Sequence, residues 1–191
     1  MDIEKEIERF LKIVPDEVTH TRFDHSLSVA ELAEKFSVLN GYSYPRKAYL
    51  AGILHDITKQ KTKDFHREIF IRNDFSYNDL PEAAYHPFSA VFYLKEKYLF
   101  TDVEILSAIE KHTLGNENLS LLDEILYVSD FLGSDYAKRQ PEYQNWILET
   151  EKQLSFGVIL KSSKVIEELI EKKFRIHPLT VFMYNKYLNI H

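Results

Sequence analysis

Apolar residues recur at helical spacing through almost the whole chain, and this periodicity restricts the fold more than any other feature of the sequence. In residues 21–40, for example, Phe23 and Leu27 lie one turn apart, and Gly41 stands where a C-terminal cap is expected. A further helix is predicted over roughly 45–57, and its stretch AYLAGIL is apolar nearly all round, which indicates a central, buried helix. Because the period-two alternation of a strand is nowhere sustained, we expect an all-α fold.

Capping signals divide the chain into further helices. Residues 101–115 begin with a Thr-x-x-Glu capping box, and residues 120–133 begin with Ser-x-x-Asp and end at Gly133. Apolar spacing predicts two more helices over 88–99 and about 156–173, whereas 60–80 contains shorter segments and 134–145 is a polar connection. No repeat or linker interrupts the pattern. We therefore expect a single domain over residues 1–191, folded as a bundle of about seven to nine helices.

The composition excludes several classes of protein. The net charge of −6 provides no positive field for a nucleic-acid polymer. No apolar run approaches the roughly 20 residues of a membrane span, so we expect a cytoplasmic protein that does not enter a membrane. Because the chain has no Cys, any metal must be bound by His, carboxylate and water.

Three histidines and two aspartates fall on apolar helix faces or at the ends of apolar helices. They are His25, His55, Asp56, His112 and Asp130. A single histidine in such a place is commonly an ordinary core residue, and a helical interaction protein with satisfied core side chains is one interpretation of the set. An unpaired buried carboxylate is costly, however, and needs a cation, a hydrogen-bond donor or a proton. Two such aspartates beside several histidines favour a divalent metal site.

Five separated motifs resemble a known family. They are RFDHSLSVAELA (22–33), AGILHDITK (51–59), HPFSA (86–90), AIEKHTLGNENLSLLDEILYVSDF (108–131) and IHPLT (176–180). The order of a His, a His-Asp pair and a distant Asp is similar to that of the HD-domain metal-dependent phosphohydrolases. Within that superfamily the chain resembles most the YqeK family of bacterial symmetrical diadenosine tetraphosphate hydrolases. The resemblance covers most of the chain.

The resemblance implies two divalent ions. One would take His25, His55, Asp56 and Asp130, and the second would take His86, His112 and a bridging oxygen of Asp56. Iron is the metal that the family suggests, although His and Asp sites also accept manganese, cobalt, nickel or zinc. Two such ions can acidify a water and hold a phosphoryl oxygen, which is the chemistry of phosphoanhydride hydrolysis.

Further residues are candidates for catalysis or for substrate binding. Lys59 matches the lysine that commonly follows the family's His-Asp pair, and we expect it to act with Asp56 in catalysis and to contact phosphate. Arg22 either contributes to the same positive field or pairs with a carboxylate. Thr113 and Gly115 match the family's HTxG loop and are expected near the substrate, although Gly115 is also explained as a helix cap.

The segment after the last predicted ligand departs from the family pattern. Members usually continue with Ile-Glu-Pro and an arginine, whereas this chain reads DFLGSDYAKRQPEY, with Gly133 in place of the expected Glu. Arg139 is the candidate for a shifted phosphate contact. Among the other histidines, surface positions are expected for His20, His66 and His191, and a position at a helix entry is expected for His177.

The leading hypothesis is a di-metal hydrolase that splits diadenosine tetraphosphate symmetrically into two ADP. Two alternatives stay open: an HD phosphohydrolase that acts on another nucleotide, such as a mono- or triphosphate, and a non-catalytic module that binds metal and nucleotide. A small nucleotide is the expected partner in each case. The resemblance and the many aromatic side chains also suggest a homodimer.

Overall fold

The computed structural model describes residues 2–188, and every regular element in that range is helical. The helices are α1 (Ile3–Glu17), α2 (His20–Leu39), α3 (Pro45–Leu54), α4 (Lys63–Arg72), α5 (Tyr85–Tyr98), α6 (Val103–Lys111), α7 (Leu121–Leu132), α8 (Asp135–Lys138), α9 (Tyr143–Lys152), α10 (Leu154–Glu171) and α11 (Pro178–Leu188). A 3₁₀ turn, Glu82–Ala84, precedes α5. The all-α prediction is confirmed, although the eleven helices of the described range exceed the predicted number. None of them has both the length and the apolar character needed to cross a membrane.

Two local predictions were wrong. The segment 134–145 is not a continuous connection, because it contains α8 and the start of α9. The hydroxyl of Ser134 accepts a hydrogen bond from the Ala137 amide at 3.1 Å, which caps this single turn of helix. At the start of α6 the cap is Asp102 rather than Thr101, since the Asp102 carboxylate accepts hydrogen bonds from the amides of Glu104 and Ile105.

Helix α3 lies at the centre of the bundle and contacts α1, α2, α6 and α7. Its residues Leu50, Ile53 and Leu54 are fully buried, as the all-round apolar pattern predicts. Helix α3 ends at Leu54 in the interior of the bundle. The two residues that follow it, His55 and Asp56, are therefore buried as well. The packing of the central helix therefore places a polar pair at the middle of the molecule.

Helices α2 and α3 approach each other closely at Gly52. A Cβ atom built on Gly52 would lie 2.6 Å from the backbone nitrogen of Ala30, so no larger side chain fits unless the helices separate. The same close approach brings His25, on α2, beside His55, with 3.3 Å between their Nε2 atoms. The glycine thus sets the distance between two of the predicted metal ligands.

We expect Gly52→Ala to lower the free energy of unfolding by about 2 kcal/mol, even though Ala favours a helix over Gly by about 1 kcal/mol. The reason is that the new methyl group overlaps the backbone of Ala30 and forces the two helices apart. Separation of the helices also moves His25 away from His55, so the metal content of the purified protein should fall. Denaturant unfolding and elemental analysis measure the two effects.

Gly41→Ala is the matched control for this substitution. Gly41 has a φ of +70°, and a Cβ there would have no atom within 4 Å, so Ala introduces only backbone strain of about 1 kcal/mol. Its metal content should equal that of the wild type. If Gly52→Ala kept the stability and the metal content of the wild type, the close approach would not position the histidines.

Candidate metal centre

Four of the predicted ligands converge in the bundle and form what we call the first ligand group: His25, His55, Asp56 and Asp130. The Nε2 atom of His25 lies 3.3 Å from Nε2 of His55 and also 3.3 Å from Oδ1 of Asp130. Oδ2 of Asp56 lies 3.4 Å from Nε2 of His55. Since all four ligand atoms lie within 4.8 Å of one another, a single ion between them has a ligand on each side.

The second ligand group comprises Asp56, His86 and His112. It uses the other oxygen of Asp56: Oδ1 lies 3.2 Å from Nε2 of His86 and 3.7 Å from Nε2 of His112. His86 was predicted to precede a helix, but it is the second residue of α5 and lies in its first turn. His112 caps the end of α6. Asp56 therefore offers one oxygen to each group.

Both groups present free lone pairs that can bind cations. In His55, His86 and His112, Nδ1 faces the carbonyl of the residue three positions earlier at 2.7–3.0 Å, which assigns the ring proton to Nδ1 and leaves a lone pair on Nε2. The Nε2 atoms of His86 and His112 then face each other at 3.1 Å with no proton between them. Oδ1 of Asp56 is buried and has no hydrogen-bond partner among residues 2–188. An unpartnered buried acceptor is unfavourable, and a divalent ion would satisfy it.

Burial and neighbouring charges set the ionisation of these groups. Burial lowers the pKa of His86 to about 3, although Asp56 opposes the shift, so this imidazole is neutral and available for coordination. Burial alone would raise the pKa of the Asp130 carboxyl, but a buried lysine, Lys161, and the imidazole of His25 hold it well below its ordinary value. Asp130 is thus a carboxylate with a fixed counter-ion.

Lys161 is only 4 % exposed and was not among the predicted site residues. Its Nζ atom donates to Oδ2 of Asp130 at 2.8 Å and to the carbonyls of His112 and Tyr127 at 2.7 and 2.9 Å. These three acceptors satisfy all the protons of the ammonium group. Lys161 therefore orients Asp130 so that Oδ1 faces the first ligand group. The signal was present in the sequence, because Lys161 lies one turn beyond Gly157 and Val158 on the buried face of α10.

Three of the predicted substrate contacts lie beside the ligand groups. Arg22 Nη1 donates to Oδ2 of Asp56 at 3.0 Å, so it pairs with a carboxylate, which was the second interpretation of this residue. Lys59 Nζ and the Thr113 hydroxyl each lie 3.2 Å from Nε2 of His86. All three side chains line the same cavity, where a bound anion would meet them.

The other two predicted contacts, Gly115 and Arg139, do not line that cavity. Gly115 has a φ of +76° and packs against the side chain of Met183, so turn conformation and close packing account for it. The Arg139 side chain is 79 % exposed and pairs with Asp135, one turn earlier. Its position does not support the predicted phosphate contact.

The expectation of a surface position was wrong for His66. Its side chain is buried, and Nδ1 lies 2.8 Å from the hydroxyl of Ser89, which in turn bonds the carbonyl of His86. The physical reason is that His66 shares a face of α4 with Ile69 and Phe70, which pack against α5. His20 is exposed, His177 immediately precedes α11 as predicted, and His191 lies outside the described residues.

A cavity of about 690 Å³ opens over the first ligand group, and we call it the large cavity. Its polar end includes Arg22, His25, Asp56 and Lys59, and its apolar walls include Leu114, Phe131, Val165 and Phe174. Cavities of this size and mixed character are typical of sites for small ligands. This one suits a ligand that has both an anionic part and a flat apolar part.

The chain is similar to several known proteins. The sequence model of the HD domain matches residues 22–134. The symmetrical bis(5'-nucleosyl)-tetraphosphatase of Halalkalibacterium halodurans is 29% identical over 181 residues, which cover 93% of this chain and 95% of that protein. The protein of the same name from Bacillus subtilis is 28% identical over 185 residues, with the same two coverages.

A solved structure from Clostridium acetobutylicum, described as a predicted HD superfamily hydrolase involved in NAD metabolism, has the same fold. It superposes with a TM-score of 0.88 over 97% of this chain and 98% of its own, at 21% sequence identity. The span matched to the HD domain, 22–134, is more than half of the chain and includes both ligand groups. The chain therefore belongs to the HD domain family.

Proposed function

We propose that this protein is a metal-dependent hydrolase that cleaves diadenosine tetraphosphate symmetrically into two ADP. The observation that carries the proposal is the convergence of two ligand groups on the two oxygens of Asp56, because residues arranged in this way would hold two divalent ions side by side. The substrate is supported by the names of relatives that match 93% of the chain. In this proposal all six residues of the two groups are metal ligands, and Asp56 is shared.

The side chains around the two groups would bind and orient the substrate. Divalent ions held there would polarise phosphoryl oxygens and lower the pKa of an attacking water. Lys59 and Arg22 supply positive charge for the polyphosphate, and the Thr113 hydroxyl supplies a hydrogen bond. In the overall reaction the water oxygen forms a bond to one central phosphorus, and the bridging oxygen leaves with the other ADP.

The apolar walls of the large cavity would hold one nucleoside. Phe131, which is buried, and Phe174, whose side chain is mostly exposed, both line this cavity. Aromatic rings of this kind stack on a flat base and bury it from water. A Cβ built on Gly133 would lie 2.8 Å from a methyl group of Val29, so this position is closely packed. From the same altered segment, Ser134 and Tyr136 line the large cavity.

Iron is proposed as the native metal because of the family resemblance, since ligands of this kind accept several divalent ions. Anaerobic purification followed by elemental analysis tests the identity of the metal directly. A cytoplasmic location and a homodimer stay predictions.

Product analysis tests the proposed reaction. Wild-type protein with its metals is expected to convert diadenosine tetraphosphate into ADP as the sole nucleotide product. Release of ATP and AMP would contradict symmetrical cleavage. A dinucleotide that stays intact for hours would favour a binding module, and phosphate release from a mono- or triphosphate would favour the other HD phosphohydrolase.

A further inference from the structure

A second, smaller cavity of about 390 Å³ adjoins the large one, and we call it the small cavity. Its lining includes Lys59, Lys61, Lys63, His66, Glu82 and His86. Lys59 and Glu82 line both cavities, so the two spaces meet at these residues. Because His86 belongs to the second ligand group, the small cavity begins beside that group, whereas the large cavity opens over the first.

The small cavity carries an excess of positive charge. Lys61 pairs with Glu17 at 2.7 Å, and Lys63 pairs with Glu82. No carboxylate oxygen of residues 2–188 lies within 4 Å of Lys59 Nζ, whose neighbour is the imidazole of His86. Three lysines thus face two carboxylates, and the lysine at the junction of the cavities has no counter-ion in the described part of the chain. This is the charge distribution of an anion site.

A symmetrical substrate needs room on both sides of the reacting phosphorus atoms. The bond that breaks lies between the two central phosphates, and each half is an ADP. The large cavity provides apolar walls and Arg22 for one half, and the second half needs phosphate contacts of its own. The small cavity adjoins the second ligand group at His86 and shares Lys59 with the large cavity, so it offers a second space for phosphates beside the ligand groups.

We infer that the small cavity is a second polyphosphate subsite, which binds the diphosphate of the ADP that leaves. This inference rests on the proposed function, because it assigns the second half of that substrate. The unpaired Lys59 contacts the phosphates at the junction, and Lys63 attracts those farther in. While the subsite is empty, Glu82 forms an ion pair with Lys63 and partly neutralises its charge.

Lys63→Gln tests the subsite, with Lys63→Arg as the variant that keeps the charge. Lys63 is the first residue of α4 and partly exposed, so neither change should disturb the fold. In the metal-loaded protein, Lys63→Gln is expected to raise KM for diadenosine tetraphosphate about fivefold, the effect of one partly exposed charge, while Lys63→Arg keeps the wild-type KM. Lys95→Gln is the matched control, because it removes the same charge from a residue that lines neither cavity.

Equilibrium binding of ADP provides a second measurement. Wild-type protein is expected to bind two ADP per chain, and Lys63→Gln is expected to lose the weaker of the two. One ADP per chain in the wild type, or equal KM values for wild type and Lys63→Gln, would overturn the subsite. Failure of the proposed function gives a different result, since wild-type protein would then form no ADP from the dinucleotide at all.

Discussion

Asp56→Asn is expected to reduce hydrolysis of diadenosine tetraphosphate by about 10³-fold, which corresponds to about 4 kcal/mol of transition-state stabilisation. Asp56 is the one residue common to both ligand groups, and it is the only carboxylate of the second. Asn has nearly the same shape, but it lacks the charge and replaces one oxygen by an NH₂ group. That group would face the lone pairs of the histidines and could not bind a cation.

Metal analysis distinguishes this explanation from a loss of folding. The second ion should be absent from Asp56→Asn, and the first should be weakened, since Asp130 still serves that group. Asp64→Asn is the matched control, because Asp64 is a surface carboxylate that lines neither cavity. Far-UV circular dichroism should be the same for wild type and both variants. If Asp56→Asn bound as much metal as the wild type, Asp56 would not be a ligand shared by both groups, whatever the activity of the variant.

The helices were predictable because their signals are local. Helix α7 shows this most clearly: Ser120 and Asp123 form the predicted capping box, and the helix ends beside Gly133 as the sequence indicates. Each of these contacts spans only a few residues, so spacing along the chain determines it. The short helix α8 was missed because one turn is too short to show periodicity, and its cap, Ser134, is a residue that is also common in loops.

The meeting of distant residues was not predictable from periodicity. His25 and Asp130 lie 105 positions apart in the sequence, yet Nε2 of His25 is 3.3 Å from Oδ1 of Asp130. Their apolar helix faces indicated burial, and the family resemblance supplied the expectation that they share a site. No local pattern specifies which buried faces touch, because that depends on close approaches such as Gly52 against Ala30.

Polar residues on buried faces were the main source of error. His66 lies on the inner face of α4, although a surface position was predicted for it. Lys161 lies on the inner face of α10 and was not among the predicted site residues. Burial of a lysine is favourable only with an anion and hydrogen-bond acceptors close by. For Lys161 these partners come from residues more than thirty positions away. The local sequence therefore indicates that Lys161 lies on a buried face, but it does not indicate which groups stabilise its charge there.

Lys161→Met is expected to lower the free energy of unfolding of the metal-free protein by about 4 kcal/mol. Met fills most of the space of the lysine stem, but it leaves Oδ2 of the half-buried Asp130 carboxylate without its lysine counter-ion. The carbonyls of His112 and Tyr127 lose their donor as well. Urea unfolding in the presence of a chelator measures the loss. With metal present the loss should be smaller, because an ion in the first ligand group also compensates the charge of Asp130.

The double variant Lys161→Met/Asp130→Asn separates charge from packing. If the uncompensated carboxylate is the cause, Asn should recover about half of the lost stability of the metal-free protein. Lys164→Met is the matched control on the same helix: Lys164 pairs with Glu167 near the surface, so its loss should change stability by less than about 0.5 kcal/mol. A double variant no more stable than Lys161→Met would mean that Lys161 contributes through packing and its two carbonyl hydrogen bonds, and not through the charge of Asp130. Recovery would instead identify Lys161 as the residue that holds Asp130 charged and oriented toward the first ligand group.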